Sequence, residues 1–138
     1  MIRLLREHLN EIFEHAHESE PAECCGLIGG TKDDWAGSIY RLRNIAKEET
    51  VSYEAAPDEL FAAQREMRQR GEHLIGIYHS HPLATDPEPS DTDVRLAYYP
   101  SATYLIVGLA GSEPTLRAFR ISECDLSWTP VEYAIADE

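Results

Sequence analysis

The short run Leu74-Ile75-Gly76-Ile77-Tyr78 constrains the fold of this chain more than any other segment. Gly71 stands just before it, in a position typical of a helix end, and His79 and His81 follow it closely. Five uncharged, mostly apolar residues leave no polar face, so the run predicts a fully buried strand. The helical segments that surround this strand favour an α/β fold.

The rest of the chain supplies helices and strands for such a sheet. Apolar residues at helical spacing predict a first helix from about Leu4 to Glu18, and start and stop signals predict a second from Pro57 to Gly71. A short third helix is expected from about Asp91 to Tyr98. The other predicted strands are Glu23 to Gly30, its hairpin partner Ser38 to Asn44, a short piece at Val51 to Glu54, Thr103 to Leu109, Thr115 to Ile121 and Val131 to Ile135. We therefore expect residues 1–138 to form one α/β domain with a mixed central sheet flanked by helices.

The charge of the chain argues against two classes of partner. The sequence has 25 acidic and 12 basic residues, which give a formal net charge of -13. Its Lys and Arg residues form no stripe, so phosphate backbones and anionic membrane surfaces should be repelled. We expect neither nucleic-acid nor membrane binding, and we expect most of the acidic side chains to lie on solvated surface.

Cysteine usage and the N-terminal residues predict a cytoplasmic protein. The three cysteines are an odd number, and a bridge between the neighbours Cys24 and Cys25 would be strained. The first six residues already carry charges, so no signal-peptide core is expected. The longest apolar runs, such as Tyr104 to Ala110, are too short to span a bilayer.

Two histidines at the end of the predicted central strand form a candidate metal site. Residues i and i+2 of a strand face the same side, so His79 and His81 can direct their imidazoles at one point. Asp93, on the short helix that follows, can supply a third ligand, and a fourth position left to water is typical of catalytic zinc. Two surface histidines without a metal remain the competing interpretation. Ser90 and Asp93 also fit a capping box, which is compatible with either interpretation.

The other histidines are interpreted as surface residues. His15 and His17 have the same spacing as the candidate ligands, but on a helix residues i and i+2 point about 200° apart. We therefore expect His15 and His17, with His8 and His73, to be solvated.

Three motifs in this order carry a family resemblance: Glu23-x-x-Gly26, His79-x-His81-Pro82 and Ser90-x-x-Asp93. Together they resemble the JAMM motif of the MPN-plus (Mov34/PAD-1) zinc metallopeptidases, and the residues from Pro21 to Leu27 resemble the compact prokaryotic branch of that family. The resemblance covers the chain from the first helix to about Leu109. It implies the JAMM/MPN fold, which has a cytidine-deaminase-like architecture.

The resemblance implies a role for each residue of the motif. His79, His81 and Asp93 would bind Zn²⁺. Glu23 would take a proton from the zinc-activated water and pass it to the leaving amine. Ser90 would donate a hydrogen bond to the developing oxyanion. Eight residues separate His81 from Ser90, one more than in the family pattern, and we expect a flexible loop at 86–89 to absorb the difference.

The implied reaction is hydrolysis of an amide or isopeptide bond at the C-terminal tail of a ubiquitin-like sulfur-carrier protein. A peptidase acting on cell-wall or phage-tail peptides is the alternative substrate class, and a non-catalytic MPN-type binding module is the alternative function. The full set of ligands and the glutamate favour the enzyme. A nucleophilic Cys24 or Cys25 is the remaining alternative, and packing inside the sheet is the more usual role of such residues.

Overall fold

A six-stranded mixed sheet forms the centre of the structure, a computed structural model that describes residues 1–137. The elements follow in this order: β1 (Ile2–Leu5), α1 (Arg6–Ser19), β2 (Cys25–Gly30), β3 (Ala36–Leu42), α2 (Pro57–Arg70), β4 (His73–His81), α3 (Asp91–Arg95), β5 (Thr103–Gly108), β6 (Thr115–Ser122), β7 (Ser127–Val131) and β8 (Tyr133–Ala136). The strand order is β3-β2-β4-β5-β6-β7, and β4 and β5 are parallel while the other neighbours are antiparallel. The predicted mixed α/β sheet is confirmed.

The predicted central strand is β4, and it is longer than the apolar run alone indicates. It continues to His81, so both histidines of the motif still lie on the strand, and residues 75–80 are buried. Its neighbours are β2 on one side and β5 on the other. The sheet therefore holds the two imidazoles on a rigid backbone.

Helices cover both faces of the sheet, which explains why its central strands have no polar face. Ile12 and Ala16 of α1 pack with Tyr78 and Leu105 on one face. On the other face, α2 and α3 contribute a second cluster together with residues of β2, β3, β4, β5 and β6. No helix within residues 1–137 has both the length and the apolar character needed to cross a membrane.

Gly26 allows the ring of Tyr78, which precedes the two histidines of the motif, to cross the neighbouring strand. A Cβ atom at Gly26 would lie 2.2–2.4 Å from ring atoms of Tyr78, so only glycine leaves room for that ring. The Tyr78 hydroxyl then meets Nδ1 of His15 on α1 at 2.7 Å. Burial, aided by the charge of Arg41, lowers the pKa of His15 to about 4.

Two of the four histidines expected on the surface have structural contacts instead. His15 is partly buried against Tyr78, and His8 is buried, with its Nδ1 accepting the backbone N–H of Leu5 at the start of α1. The expectation is therefore wrong for both of these, because α1 lies on the sheet and takes one side of each into the packing. His17 and His73 are exposed, as predicted.

The ends of the chain differ from the prediction. Residues Ile2–Leu5 form a strand, β1, which pairs in parallel with β8 in a separate two-stranded sheet. The predicted strand at Val131 to Ile135 therefore does not extend the main sheet, whose last strand is the unpredicted β7. Strands β1 and β8 are short and pair with each other across almost the whole sequence, so neither carries a strong local strand pattern.

The predicted extended piece at Val51 to Glu54 is not a strand. Its neighbour Ala55 forms an isolated bridge with Asn44, and the Glu54 N–H donates to the Asn44 side chain instead of to a backbone carbonyl. A side chain thus replaces one step of a strand ladder.

Candidate active site

Three elements bring the motif residues together. His79 and His81 end β4, and Asp93 lies in the first turn of α3. Glu23 lies two residues before β2, whose Cys25 is opposite His79 in an antiparallel pair. This register places Glu23 beside the end of β4, although 56 positions (79 − 23) separate it from the first histidine in the sequence.

The two histidines and Asp93 form a triangle of potential metal donors. Nε2 of His79 lies 3.1 Å from Nε2 of His81, and Oδ2 of Asp93 lies 3.1 Å and 3.0 Å from these two nitrogens. A tetrahedral ion with bonds of about 2.0–2.1 Å has ligand–ligand edges of about 3.3–3.4 Å. The donor triangle is close to that size, so the three residues fit a small divalent ion.

Glu23 stands next to this triangle. One of its carboxylate oxygens and one ring nitrogen of each histidine lie within 4.8 Å of one another, so Glu23 with the histidines is a second possible ligand group. The contacts near 3 Å favour Asp93 as the third residue that would hold an ion, with Glu23 beside the three donors. Glu23 is 5% exposed, and its Oε1 has no hydrogen-bond partner in the described part of the chain.

Ser90 and Asp93 form the capping box that their spacing predicts. Ser90 Oγ accepts the Asp93 N–H at 3.0 Å, and the Ser90 N–H donates to Asp93 Oδ2 at 2.9 Å. This pair fixes the carboxylate that faces both histidines. The Ser90 side chain is exposed, and its own hydroxyl hydrogen is free to donate elsewhere.

The charges of the site follow from burial and from the histidine–carboxylate contacts. Burial raises the pKa of Glu23 to about 8, with the charge of His81 lowering it and that of Asp93 raising it. Burial also opposes charge on Asp93, but the His79 charge and the hydrogen bonds of His79, His81 and the Ser90 backbone outweigh it and hold its pKa well below the usual range. Asp93 is thus an anion facing two imidazoles, the charge pattern that a cation site requires.

Tyr53 is a site residue that the sequence does not reveal. Its ring stacks on His79, with the two centroids 4.5 Å apart and the planes 27° from parallel. Among residues 1–137, His79 Nδ1 has no hydrogen-bond partner. The stacked tyrosine therefore orients the His79 ring, and a single tyrosine in an irregular segment carries no sequence signal for that role.

The long loop between His81 and Ser90 packs closely against residues of β5 and β6. Gly108 gives it room, because a Cβ atom there would lie 2.6 Å from the Ala84 carbonyl oxygen and 2.9 Å from Pro87. Arg117 also donates to the Pro87 carbonyl oxygen. The additional residue is accommodated in a loop that contacts β5 and β6, and the flexibility of residues 86–89 stays a prediction.

The thiol alternative is contradicted by the surroundings of both cysteines. Cys24 and Cys25 are each 1% exposed, and they pack in the clusters on opposite faces of the sheet. Burial raises the pKa of Cys24 to about 11 and that of Cys25 to about 12. Neither forms the thiolate that nucleophilic catalysis needs near neutral pH.

The sequence also matches a known family. The family model described as prokaryotic homologs of the JAB domain matches residues 5–122. The chain belongs to this family. Its solved relatives include a protein of Desulfitobacterium hafniense with 34% sequence identity and a TM-score of 0.88, which matches over 100% of this chain and 94% of that one.

Curated relatives of this JAB-domain chain have names that state peptidase activities. The desampylase of Haloferax volcanii is 34% identical over 110 residues, which cover 76% of this chain and 78% of the relative. The CysO-cysteine peptidase of Mycobacterium tuberculosis is 31% identical over 124 residues, which cover 89% and 84%. A structure described as a JAMM metalloprotease-like zinc site has 17% identity and a TM-score of 0.62 over 99% of each chain, which shows a shared fold. The chain is a JAMM-type peptidase.

Proposed function

We propose that this JAB-domain protein is a zinc-dependent peptidase or isopeptidase that acts at the C-terminal tail of a ubiquitin-like sulfur-carrier protein. The observation that carries the proposal is the triangle of His79, His81 and Asp93 with the buried, unpaired carboxylate of Glu23 beside it. The desampylase and the CysO-cysteine peptidase among its relatives support the choice of substrate.

The proposed chemistry assigns one task to each side chain. His79, His81 and Asp93 hold zinc, which when bound lowers the pKa of water towards 7 and so supplies hydroxide near neutral pH. Glu23 takes a proton from the attacking water and delivers it to the leaving amine, a role that its buried position beside both histidines supports. Ser90 donates its hydroxyl hydrogen to the carbonyl oxygen as negative charge develops there.

An extended tail has a suitable place to bind next to these residues. No backbone hydrogen bond among residues 1–137 uses the N–H or C=O groups of Tyr53 or Ala55, while Glu54 between them pairs with Ile45. Tyr53 and Ala55 therefore present a short free edge beside His79, to which an extended peptide can add as a strand. A tail that ends in glycines has no side chains to obstruct this approach.

A cavity of about 220 Å³ lies along the same edge. Its lining is mostly apolar and includes Tyr53, Leu60, Leu96, Tyr98 and Tyr99. Beyond the small terminal residues, an apolar side chain of the carrier tail fits this cavity, so we propose that it contributes to substrate selection.

Metal analysis and one substitution test the proposal. The protein purified without added metal should contain or take up about one zinc per chain, and it should cleave a carrier–amine conjugate after the terminal Gly-Gly. Glu23→Gln should keep the zinc and lose at least about 100-fold in kcat, because the base is removed while the ligands remain. The exposed Glu20 provides the matched control, and Glu20→Gln should behave like the wild type.

Different failures reject different parts of the proposal. A protein that takes up no zinc on titration is not a metallopeptidase. Full activity in Glu23→Gln rejects Glu23 as the base. Cleavage of cell-wall peptides but not of carrier conjugates replaces the substrate class, and zinc binding without any hydrolysis points to a binding module.

A further inference from the structure

Asn44 lies just after β3, and its side-chain amide donates to separate stretches of the main chain. Nδ2 lies 2.9 Å from the carbonyl oxygen of Glu23 and 3.0 Å from that of Ser52. A longer contact of 3.4 Å reaches the carbonyl oxygen of Glu49. The two amide hydrogens thus join Glu23, which lies two residues before β2, to the irregular segment that follows β3.

The amide oxygen of Asn44 holds the same segment from the other side. Oδ1 accepts the backbone N–H of Ala46 at 2.9 Å and that of Glu54 at 3.0 Å. Because Nδ2 faces carbonyl groups and Oδ1 faces N–H groups, only one orientation of the amide satisfies the network. An aspartate of the same shape would place a second acceptor against carbonyl oxygens.

These contacts determine how the backbone of Glu23 is held. Its N–H donates to the Glu49 carbonyl oxygen at 2.7 Å, and its own carbonyl accepts from Asn44. Glu23 precedes the paired part of β2, so the sheet ladder does not hold it directly. Both backbone groups of the proposed base therefore depend on the segment that Asn44 organises.

The same segment also carries the groups that face the substrate. Tyr53 stacks on His79, and Tyr53 and Ala55 form the free backbone edge. Glu54, which lies between them, is held by its N–H bond to Asn44 and by its carbonyl bond to Ile45. One amide thus links the proposed base, the ring that orients a metal ligand, and the edge proposed to bind the tail.

We propose that Asn44 is a positioning residue of this active site, which sets the distance between the Glu23 carboxylate, the metal ligands and the tail-binding edge. Its part in catalysis rests on the proposed function. Its part in geometry does not, because it concerns contacts within this chain. Asn44 touches neither the ligand side chains nor the proposed position of the scissile bond, so it acts through Glu23 and the 45–54 segment.

Asn44→Asp is the principal test, because it keeps the shape and removes both donors. Asn10→Asp on the exposed side of α1 is the matched control, since it adds the same charge at the other asparagine of the chain. We expect Asn44→Asp to retain about one zinc per chain and to lose about 10- to 100-fold in kcat per folded, zinc-loaded molecule. Asn10→Asp should keep the wild-type kcat.

Amide hydrogen exchange supplies a readout that does not depend on activity. The N–H groups of Glu23, Ala46 and Glu54 should be protected in the wild type and in Asn10→Asp. In Asn44→Asp the Glu23 N–H should lose protection, because the Nδ2 contacts to the main chain are gone, while a carboxylate oxygen can still accept the N–H groups of Ala46 and Glu54. The N–H groups within β5, which make no contact with Asn44, should keep their protection in all three proteins. Asn44→Ala removes the acceptor as well as the donors without adding a charge, so the N–H groups of Glu23, Ala46 and Glu54 should all lose protection in it, and it serves if the aspartate variant fails to fold.

The two proposals fail in distinguishable ways. If the wild type cleaves no carrier conjugate, the proposed function is wrong, and hydrogen exchange still decides whether Asn44 fixes the Glu23 segment. If the wild type is active and a folded Asn44 variant keeps the wild-type kcat, the positioning role is wrong. Unchanged protection at Glu23, Ala46 and Glu54 in both Asn44 variants also overturns it.

Discussion

Ser90 combines a structural contact and a proposed catalytic contact in one hydroxyl group. Its oxygen accepts the Asp93 N–H, which fixes the first turn of α3, and its hydrogen remains available to a substrate oxygen. The backbone N–H of Ser90 meanwhile donates to the Asp93 carboxylate. The residue thus orients the Asp93 carboxylate, and its exposed hydroxyl group is the proposed donor to the oxyanion.

Ser90→Ala separates these two contributions. Loss of the cap should cost about 1 kcal/mol of unfolding free energy, while loss of the oxyanion contact should cost about 3 kcal/mol in the transition state. We expect kcat to fall about 100-fold, with zinc content unchanged, in assays well below the unfolding temperature. Ser112→Ala, at an exposed turn, is the control. A fall in kcat below about threefold would contradict the role in oxyanion stabilisation.

At the scale of the elements, β2, β4 and α1 are locked together where Tyr78 crosses Gly26. The ring of Tyr78 is fully buried, and its hydroxyl is held by His15 of α1. Two residues further along β4, the Ser80 hydroxyl accepts the Cys24 N–H at 2.8 Å and continues the pairing with β2 towards Glu23. This interlocking sets the register that places the proposed base opposite the metal ligands.

Gly26→Ala should disturb the packing of the Tyr78 ring across β2. The added Cβ would lie 2.2–2.4 Å from a ring that cannot move aside, so we expect a loss of about 1–3 kcal/mol of unfolding free energy in urea denaturation. Gly111→Ala is the matched control, because the nearest atom to its Cβ would be at an ordinary 3.5 Å. Equal unfolding midpoints for the two variants would show that the close approach is not present in solution.

At the scale of the whole molecule, acidic residues outnumber basic ones, and within residues 1–137 five of the twelve Lys and Arg side chains form ion pairs with carboxylates. Arg41 alone contacts Glu11, Glu14 and Glu18, and Arg117 faces two carboxylates of the long loop. Exposed carboxylates also lie on the two segments that carry Tyr53 and Ser90, at Glu48, Glu54, Glu88 and Asp91. A partner that docks there should therefore present a neutral or basic face.

Salt should weaken the encounter with such a partner. Raising the NaCl concentration from about 0.05 to 0.5 M shortens the Debye length severalfold, so kcat/KM for a carrier conjugate should fall severalfold. A short, uncharged peptide with the same terminal residues is the control, and its kcat/KM should change little. A kcat/KM for the conjugate that rises with salt would show that docking involves a like-charged face.

Local geometry in this protein follows directly from short-range sequence patterns. The i, i+2 spacing on a strand predicts two histidines on one face, and Ser90 three residues before Asp93 predicts a capping box. Both are present because neighbouring residues dictate such arrangements. Glu23 was identified only through the family motif, since nothing local distinguishes it from other acidic residues. Helix and strand positions in the centre of the chain were also predictable from apolar periodicity.

Contacts between residues far apart in the sequence could be read only from the folded chain. The pairing of β1 with β8, the stacking of Tyr53 on His79, and the amide of Asn44 against Glu23 all join segments far apart in the sequence. Each depends on sheet register and on loop paths, which local periodicity does not encode. The sequence therefore determined the type of chemistry through closely spaced ligands. The arrangement of the proposed base and the proposed substrate edge around them came from long-range packing, because only the assembled sheet brings β2, β4 and the segment after β3 together.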